Sequence, residues 1–333
     1  MVGIGLVGYG SIGRTHARAI TECPGADVVA LCRRAGERPD DLAGEVAMFT
    51  QLGDMAAHDE VDVVCICTPS GLHAAQALEA ISCGKHVVVE KPLAVRPDDA
   101  REVVRAAQAQ SVLLGVISQR RFEPAARAIK EAVNSGALGR PVLGEALMRW
   151  HRGAEYYAQA EWRGTTADDG GALMNQGIHL VDLLRWFMGP VTEVAGIVGT
   201  LVHDIEAEDT AVASLRFASG GMGVIAATTA TRPGVPGEVN LFYEHGCVGL
   251  TESGVTRWQV PGVPAPDEEP GTATGAADPA AIGAVGHLRQ WRDIIDAVEA
   301  GRAPAVDGHA GLAALEIVDA VYEGNRTRAV VRL

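Results

Sequence analysis

Two hydrophobic rhythms divide this chain. Up to about residue 120, mostly apolar runs alternate with helix-like stretches: Val2–Val7, Val28–Leu31, Val61–Cys67, Lys85–Val89 and Val112–Ser118. Runs of that kind are the mark of strands buried on both faces, as in a parallel sheet. Between them, helical patterns cover Thr15–Ile20 and Leu72–Cys83, and a third opens at Pro97-Asp98-Asp99 with proline early and acids in its first turn. The later chain reads differently. A helix is predicted from Pro124 to Asn134, then a strand from Pro141 to Trp150 and a helix from Gly171 to about Met188. Strand-like segments then follow one another at Val191–Val202, Asp209–Phe217, Met222–Thr231 and Glu238–His245, with a hairpin signal at Ser219-Gly220-Gly221. That succession indicates an antiparallel sheet. A Pro-, Gly- and Ala-rich stretch over 261–283 reads as a long surface loop, and His287–Ala300 and Ala310–Tyr322 as helices that cover the sheet.

The expected fold is α/β, with a doubly wound parallel sheet over 1–120 and a second α/β domain with a large, mostly antiparallel sheet over 121–333. A length of 333 residues favours two domains, and 47% hydrophobic residues with mean hydropathy +0.11 argue for a compact globular protein. With 28 basic and 42 acidic side chains the formal charge is −14, which disfavours general binding to nucleic acid or anionic membrane. No apolar run reaches the roughly 18 residues of a membrane span. The chain opens on a strand-like segment without a secretory leader pattern. Six scattered cysteines do not make a disulfide framework, and Cys65 and Cys67 alternate within a strand as buried reduced thiols. A cytoplasmic protein is expected.

Chemistry enters at the strand ends. Gly8-Tyr9-Gly10-Ser11-Ile12-Gly13 follows the first strand and opens a helix, the setting in which GxGxxG binds a dinucleotide. Gly8 permits the turn, Gly10 lets a pyrophosphate approach the backbone, and Gly13 lets helix and strand pack closely. An NAD site calls for an acid at the end of the second strand, but here Cys32-Arg33-Arg34 stands there. Two guanidiniums suit a 2′-phosphate, so NADP(H) is favoured over NAD(H), although exposed loop arginines are the plainer reading. Thr68-Pro69 ends another strand, and His73 beyond it either faces the nicotinamide or serves a structural partner. Glu90-Lys91-Pro92 sets two opposite charges and a proline at the tip of the Val87-Val88-Val89 strand, where a doubly wound fold binds ligands. A solvated ion pair in a loop is the competing reading.

Further on, Arg121 leaves the first half, and Tyr156, Tyr157, Trp162 and Arg163 gather aromatic and cationic groups in a chain with only 5% aromatic residues. Sugar sites use such faces and forks, and so do domain or subunit contacts. In the helix that follows, Asn175 and His179 are i and i+4 and share one face, while Asp182 either orients His179 or serves packing. The histidines are dispersed and no cluster has metal-ligand spacing, so no metal is expected.

These motifs resemble the glucose-fructose oxidoreductase, inositol dehydrogenase and rhizopine-catabolism (Gfo/Idh/MocA) family. The match rests on the early GxGxxG, on Glu90-Lys91-Pro92, and on Gly170-Gly171-Ala172-Leu173-Met174-Asn175-Gln176-Gly177-Ile178-His179. The resemblance implies a Rossmann domain and a C-terminal domain whose sheet makes a homodimer or homotetramer. It implies Lys91 and His179 as catalytic residues, with a cis bond before Pro92. Many polyol dehydrogenases of the group have aspartate where this chain has Asn175, which looks more like members acting on nucleotide sugars or ketosugars. The expected cofactor-binding residues are Gly8, Gly10, Ser11, Ile12, Gly13, Arg33, Arg34, Thr68, Pro69, His73, Glu90, Lys91 and Pro92. Those for substrate are Arg121, Tyr156, Trp162, Arg163, Asn175 and His179, with Asn175 joining Lys91 and His179 in catalysis. The expected activity is nicotinamide-dependent interconversion of a secondary alcohol and a ketone on a sugar-like substrate. A glycosidase retaining its nicotinamide cofactor, or a non-catalytic sensor, is the alternative.

Overall fold

A computed structural model describes residues 1–34, 37–267 and 285–333. It has two compact units, Met1–Gln119 with Ala284–Ala313, and Arg120–Gly283 with Ala314–Leu333.

The strands of the first unit are β1 (Val2–Val7), β2 (Ala26–Cys32), β3 (Ala47–Phe49), β4 (Val63–Ile66), β5 (His86–Val89) and β6 (Leu114–Val116). They form one parallel sheet in the order β3-β2-β1-β4-β5-β6. This is the doubly wound order whose direction reverses between β1 and β4. The helices are α1 (Ser11–Thr21), α2 (Leu52–Ala56), α3 (His73–Ser82) and α4 (Pro97–Gln110). β1 is buried at all six positions, because helices cover both faces of the sheet. The three-residue β3 is too short to show any period, and it escapes a reading based on rhythm.

The second unit continues with α5 (Pro124–Asn134), β7 (Pro141–His151), α6 (Ala154–Tyr157), α7 (Ile178–Met188), β8 (Val191–Gly199), β9 (Thr210–Phe217), β10 (Met222–Thr228) and β11 (Ala230–Tyr243). β12 (Cys247–Thr251) and β13 (Gly254–Gln259) follow, then α8 (Val285–Ala300), α9 (Gly308–Thr327) and β14 (Val331–Arg332). The eight-stranded sheet has the order β13-β12-β11-β7-β10-β9-β8-β14, antiparallel throughout except where β10 lies parallel to β7. α7 packs on β7 and β11, and α9 lies so close to β8 that Gly196 leaves no room for a Cβ beside Val321.

The structure departs from the sequence reading at α8 and just before α7. First, α8 does not cover the second sheet: Trp291, Ile294 and Ile295 lie in the core of the first unit with Ile4, Leu6 and Ile20. The apolar stripe of a helix states that it must be buried, not against what. Gln290 of α8 straps the end of β6, donating to the Val116 carbonyl at 2.8 Å and accepting from the Ser118 N–H at 3.0 Å. Second, Ala172–Gly177 is π-helical before α7 begins, so the chain is wider there than one continuous α-helix. Most of the loop expected over 261–283 lies outside the described residues. Among the described residues no helix is long and apolar enough to cross a membrane.

Candidate active site

In the first unit the expected ligand residues stand at the carboxyl ends of parallel strands: the Gly8–Gly13 turn after β1, Thr68 after β4 and Glu90-Lys91 after β5. The turn is shaped by its glycines. Gly8 has φ +89°, and a Cβ on Gly13 would collide with the Gly8 carbonyl oxygen. Gly10 differs, because a Cβ there would meet nothing within 4 Å. Packing within the protein therefore does not require glycine at position 10. α1 has no side-chain cap and no acid in its first turn, so Ser11, Ile12 and Gly13 begin a helix whose positive end is not neutralised. These features fit the pyrophosphate of a nicotinamide dinucleotide.

Glu90 is buried and faces inward. Its Oε1 lies 2.8 Å from His16 Nε2, and its Oε2 accepts the Lys91 N–H at 3.0 Å. Trp291 donates its indole N–H to His16 Nδ1 at 2.8 Å. Indole nitrogen only donates, so Nδ1 carries no proton and Nε2 donates to Glu90. Burial would push the Glu90 pKa up, but the hydrogen bond from His16, joined by the charge of Lys91, outweighs it and holds the pKa to about 2. Of its two possible roles, Glu90 thus ties the Lys91 backbone to the core. Lys91 is half-buried, and the Lys91–Pro92 bond is cis, as the resemblance implies.

His73 is 1% exposed, with Nδ1 2.7 Å from the Pro92 carbonyl oxygen and Nε2 2.9 Å from that of Thr68. Burial lowers its pKa, although both carbonyls favour the charged ring. Its nitrogens are engaged by backbone, the structural one of its two expected roles, and it links the loop after β4 to the loop after β5. Arg33 is half-buried, with Nη1 3.4 Å from the Glu37 carbonyl oxygen, and Arg34 is exposed.

Histidines dispersed along the sequence do converge in space. His16 with Cys65 and Cys67, and His16 with Glu90 and His287, bring potential ligand atoms within 4.8 Å of one another. Sequence spacing does not record these contacts between β4, the end of β5, α1 and α8. His16, common to both groups, has its two nitrogens engaged by Trp291 and Glu90. Cys65 and Cys67 are free, buried thiols with Sγ atoms 3.6 Å apart.

The second unit holds the other candidates. From Asp169 to Leu184 every residue is buried except Asn175 and His179, which are half-buried. Asn175 donates to Asp169, whose other oxygen accepts the Gly164 N–H at 2.7 Å. Tyr156, Trp162 and Arg163 come together: the Arg163 guanidinium carbon is 4.1 Å from the Tyr156 ring centroid and 4.7 Å from that of Trp162. Gln176 donates to the Tyr156 hydroxyl at 3.2 Å, joining this cluster to the segment that carries Asn175. Arg121 is engaged elsewhere, donating to Asp182 through Nε at 2.7 Å and Nη2 at 2.5 Å. Asp182 therefore anchors Arg121.

Sequence reasoning missed Asp169 and Glu208. The first had a signal, an acid directly before the glycines that open a helix. Glu208 had none, because it arrives from a distant segment. Its carboxylate accepts the Leu173 N–H at 2.8 Å and the Tyr322 hydroxyl at 3.1 Å, and its carbonyl accepts the Ala172 N–H at 2.9 Å. A Cβ on Gly171 would collide with this carboxylate. Burial pushes the Glu208 pKa up to about 7, against the lowering effect of these bonds.

Residues 2–118 match the model for the oxidoreductase family with NAD-binding Rossmann fold, and 126–248 that for the GFO/IDH/MocA C-terminal domain. The chain belongs to the Gfo/Idh/MocA family. An uncharacterised oxidoreductase of Bacillus subtilis is 30% identical over 265 residues, 77% of this chain and 75% of that protein. Inositol 2-dehydrogenase of Rubrobacter xylanophilus is 37% identical over 195 residues, 56% of this chain; the match spans only 52% of that relative. The WlbA dehydrogenase of Bordetella pertussis, solved in complex with NADH and UDP-GlcNAcA, superposes with a TM-score of 0.88 at 34% identity. That match covers 100% of this chain and 98% of the other.

Two predictions follow from the geometry of these family motifs. Gly10→Ala leaves stability within about 0.5 kcal/mol of the parent but weakens dinucleotide binding, because the space it fills is empty of protein. Gly13→Ala loses about 1–3 kcal/mol by overpacking. Urea denaturation beside a cofactor titration separates the two, and equal destabilisation would contradict the assignment of Gly10. The Glu208 pKa is raised above its unfolded value of 4.5 to about 7, so the stability linked to its proton is complete below 4.5 and is lost as pH rises through 7. Parent protein loses about 3 kcal/mol by this route between pH 4.5 and 8, and Glu208→Gln has a flatter profile. Parallel profiles in urea would show that Glu208 ionises without penalty.

Proposed function

We propose that this protein catalyses nicotinamide-dependent interconversion of a secondary alcohol and a ketone on a sugar, polyol or nucleotide-sugar-like substrate. The observation that carries the reading is the half-buried pair Asn175 and His179 in a segment otherwise buried from Asp169 to Leu184. Polar side chains kept accessible at the start of a buried helix have no packing role that a smaller or apolar residue would not fill better. The dehydrogenases among the relatives support the same class.

The residues that would hold the cofactor are the Gly8–Gly13 turn with the open space at Gly10, the α1 N-terminus, Thr68-Pro69 and Lys91-Pro92. When bound, the nicotinamide supplies or accepts hydride. In the oxidation direction His179 takes the substrate hydroxyl proton as general base. Lys91, whose backbone N–H is held by Glu90, stabilises the negative charge that develops on that oxygen. Asn175, oriented by its bond to Asp169, positions the substrate.

Preference for NADP(H) over NAD(H) is part of the proposal. What supports it is the end of β2, where Arg33 and Arg34 stand in place of an acid. The six free cysteines fit a reducing, cytoplasmic setting. A homodimer or homotetramer through the C-terminal sheet is supported by its open face. Ile197, Val212, Met222 and Val224 are 68%, 46%, 55% and 40% exposed there, and Ile197 pairs with Val212 across β8 and β9. Sedimentation as a monomer would argue against it.

Lys91→Ala and His179→Ala are each expected to reduce kcat by at least about 100-fold while NADPH still binds, read by nicotinamide absorbance and fluorescence titration. Full activity in either variant would sink the mechanism. In the same titrations NADPH binds more tightly than NADH, and Arg33→Asp removes the difference; equal affinities in the parent protein would count against the arginines.

A further inference from the structure

Glu208 is a buried acid that the proposed chemistry does not use. It stands just before β9, 8% exposed, and reaches the start of the π-helical segment. Its carboxylate accepts the Leu173 N–H at 2.8 Å and the Tyr322 hydroxyl at 3.1 Å, and its carbonyl accepts the Ala172 N–H at 2.9 Å. The Tyr322 hydroxyl also meets the backbone of Gly171 and Met174. Residues 171–174 thus all end on one acid–phenol pair.

Neither member of the pair is free to shift. Tyr322 belongs to α9, and its neighbour Val321 presses on β8 where Gly196 has no room for a Cβ. Glu208 precedes Asp209, a wholly buried acid whose oxygens accept the N–H groups of Leu201, Val202 and His203 at 2.8–3.0 Å. At its far end the segment meets β10, where a Cβ on Gly177 would lie 3.2 Å from that of Ala227. Beyond it, α7 is tied down by the bond from Arg121 to Asp182.

These anchors hold a phase. A π-helical turn closes i→i+5 bonds, one residue more than an α-helical turn, and such turns are uncommon outside functional sites. The extra residue slips away only if the first N–H groups let go of Glu208. Asn175 lies inside the stretch and His179 in α7 beyond it, so their mutual alignment depends on where the stretch begins.

We propose that Glu208, braced by Tyr322, is a positioning residue of the active site: it fixes the register of the π-helical segment and so places Asn175 relative to His179. The proposal rests on the dehydrogenase reading of that pair and adds to it a residue that acts through the backbone.

The test combines crystal structures of Glu208→Ala and Glu208→Gln with kinetics of the full-length proteins, using NADP⁺ with myo-inositol, glucose and UDP-glucose. In Glu208→Ala the π-helical stretch is lost and Asn175 moves by about 1 Å or more relative to His179. The corresponding fall in kcat is at least about 10-fold, with NADPH affinity unchanged. Glu208→Gln keeps an acceptor of the same reach, so it retains the stretch and recovers most of kcat. In an Asn175→Ala background Glu208→Ala has little further effect, because both changes act on one interaction. Ile317→Ala opens a cavity in α9 and lowers stability, yet leaves kcat of the folded protein unchanged. Tyr322→Phe shows the same split at smaller size and decides the matter should Glu208→Ala not fold. An intact stretch with unchanged kcat in Glu208→Ala overturns the proposal, as does an equal loss in Ile317→Ala or full additivity with Asn175→Ala. Parent protein that oxidises none of the three compounds counts against the dehydrogenase reading alone, and the place of Asn175 in the two structures still decides the role of Glu208.

Discussion

The buried carboxylate of Glu90 is the interaction on which the first unit depends. An ion at the end of a core strand persists only if its lone pairs are filled, and here His16 and the Lys91 N–H fill them. His16 in turn is held in one tautomer by Trp291. Three elements distant in sequence, α1, β5 and α8, thus meet at one hydrogen-bonded chain. The two parts of the proposed cofactor site, the glycine turn and Lys91, are each one step from it. Removing a partner from such a network leaves a buried charge or donor unsatisfied, which costs more than the bond itself contributed.

The second unit solves a similar problem with different parts. Gly170 and Gly171 let the chain enter the π-helical segment, but they provide no side chain to cap it. Glu208 reaches in to accept the Leu173 N–H, and Gly171 must lack a Cβ for the carboxylate to fit. The motif's glycines therefore answer to an acid more than thirty residues away. Asp169 does the local work on Asn175. Folding and the proposed chemistry share the segment: its buried residues secure the helix, and its two half-buried ones, Asn175 and His179, are those proposed to meet substrate.

Much of this was legible in the residues themselves. Strand-turn-helix around Gly8–Gly13, the charged end of β5, the bounds of α5 and the hairpin between β9 and β10 all follow from local pattern. Local pattern works there because turn geometry, proline and hydrophobic period act over a few residues. It did not reach the partner of Arg121, the destination of α8 or the convergence of His16, Cys65, Cys67 and Glu90. Each of those is a contact between segments, and nothing in the spacing of either segment specifies it.

The opposed charges of Glu90-Lys91-Pro92 mark that division well. By itself the sequence determined that an acid and a lysine end a buried strand in a doubly wound fold, since the Val87–Val89 run and the following proline leave no other register. Only the tertiary structure decided that the two charges part company. Glu90 turns inward because α1 and α8 bring His16 and Trp291 to meet it, and Lys91 remains half-buried beyond the core. A desolvated charge takes the direction in which its partners lie, and partners are assembled by packing, not by neighbouring residues in the chain.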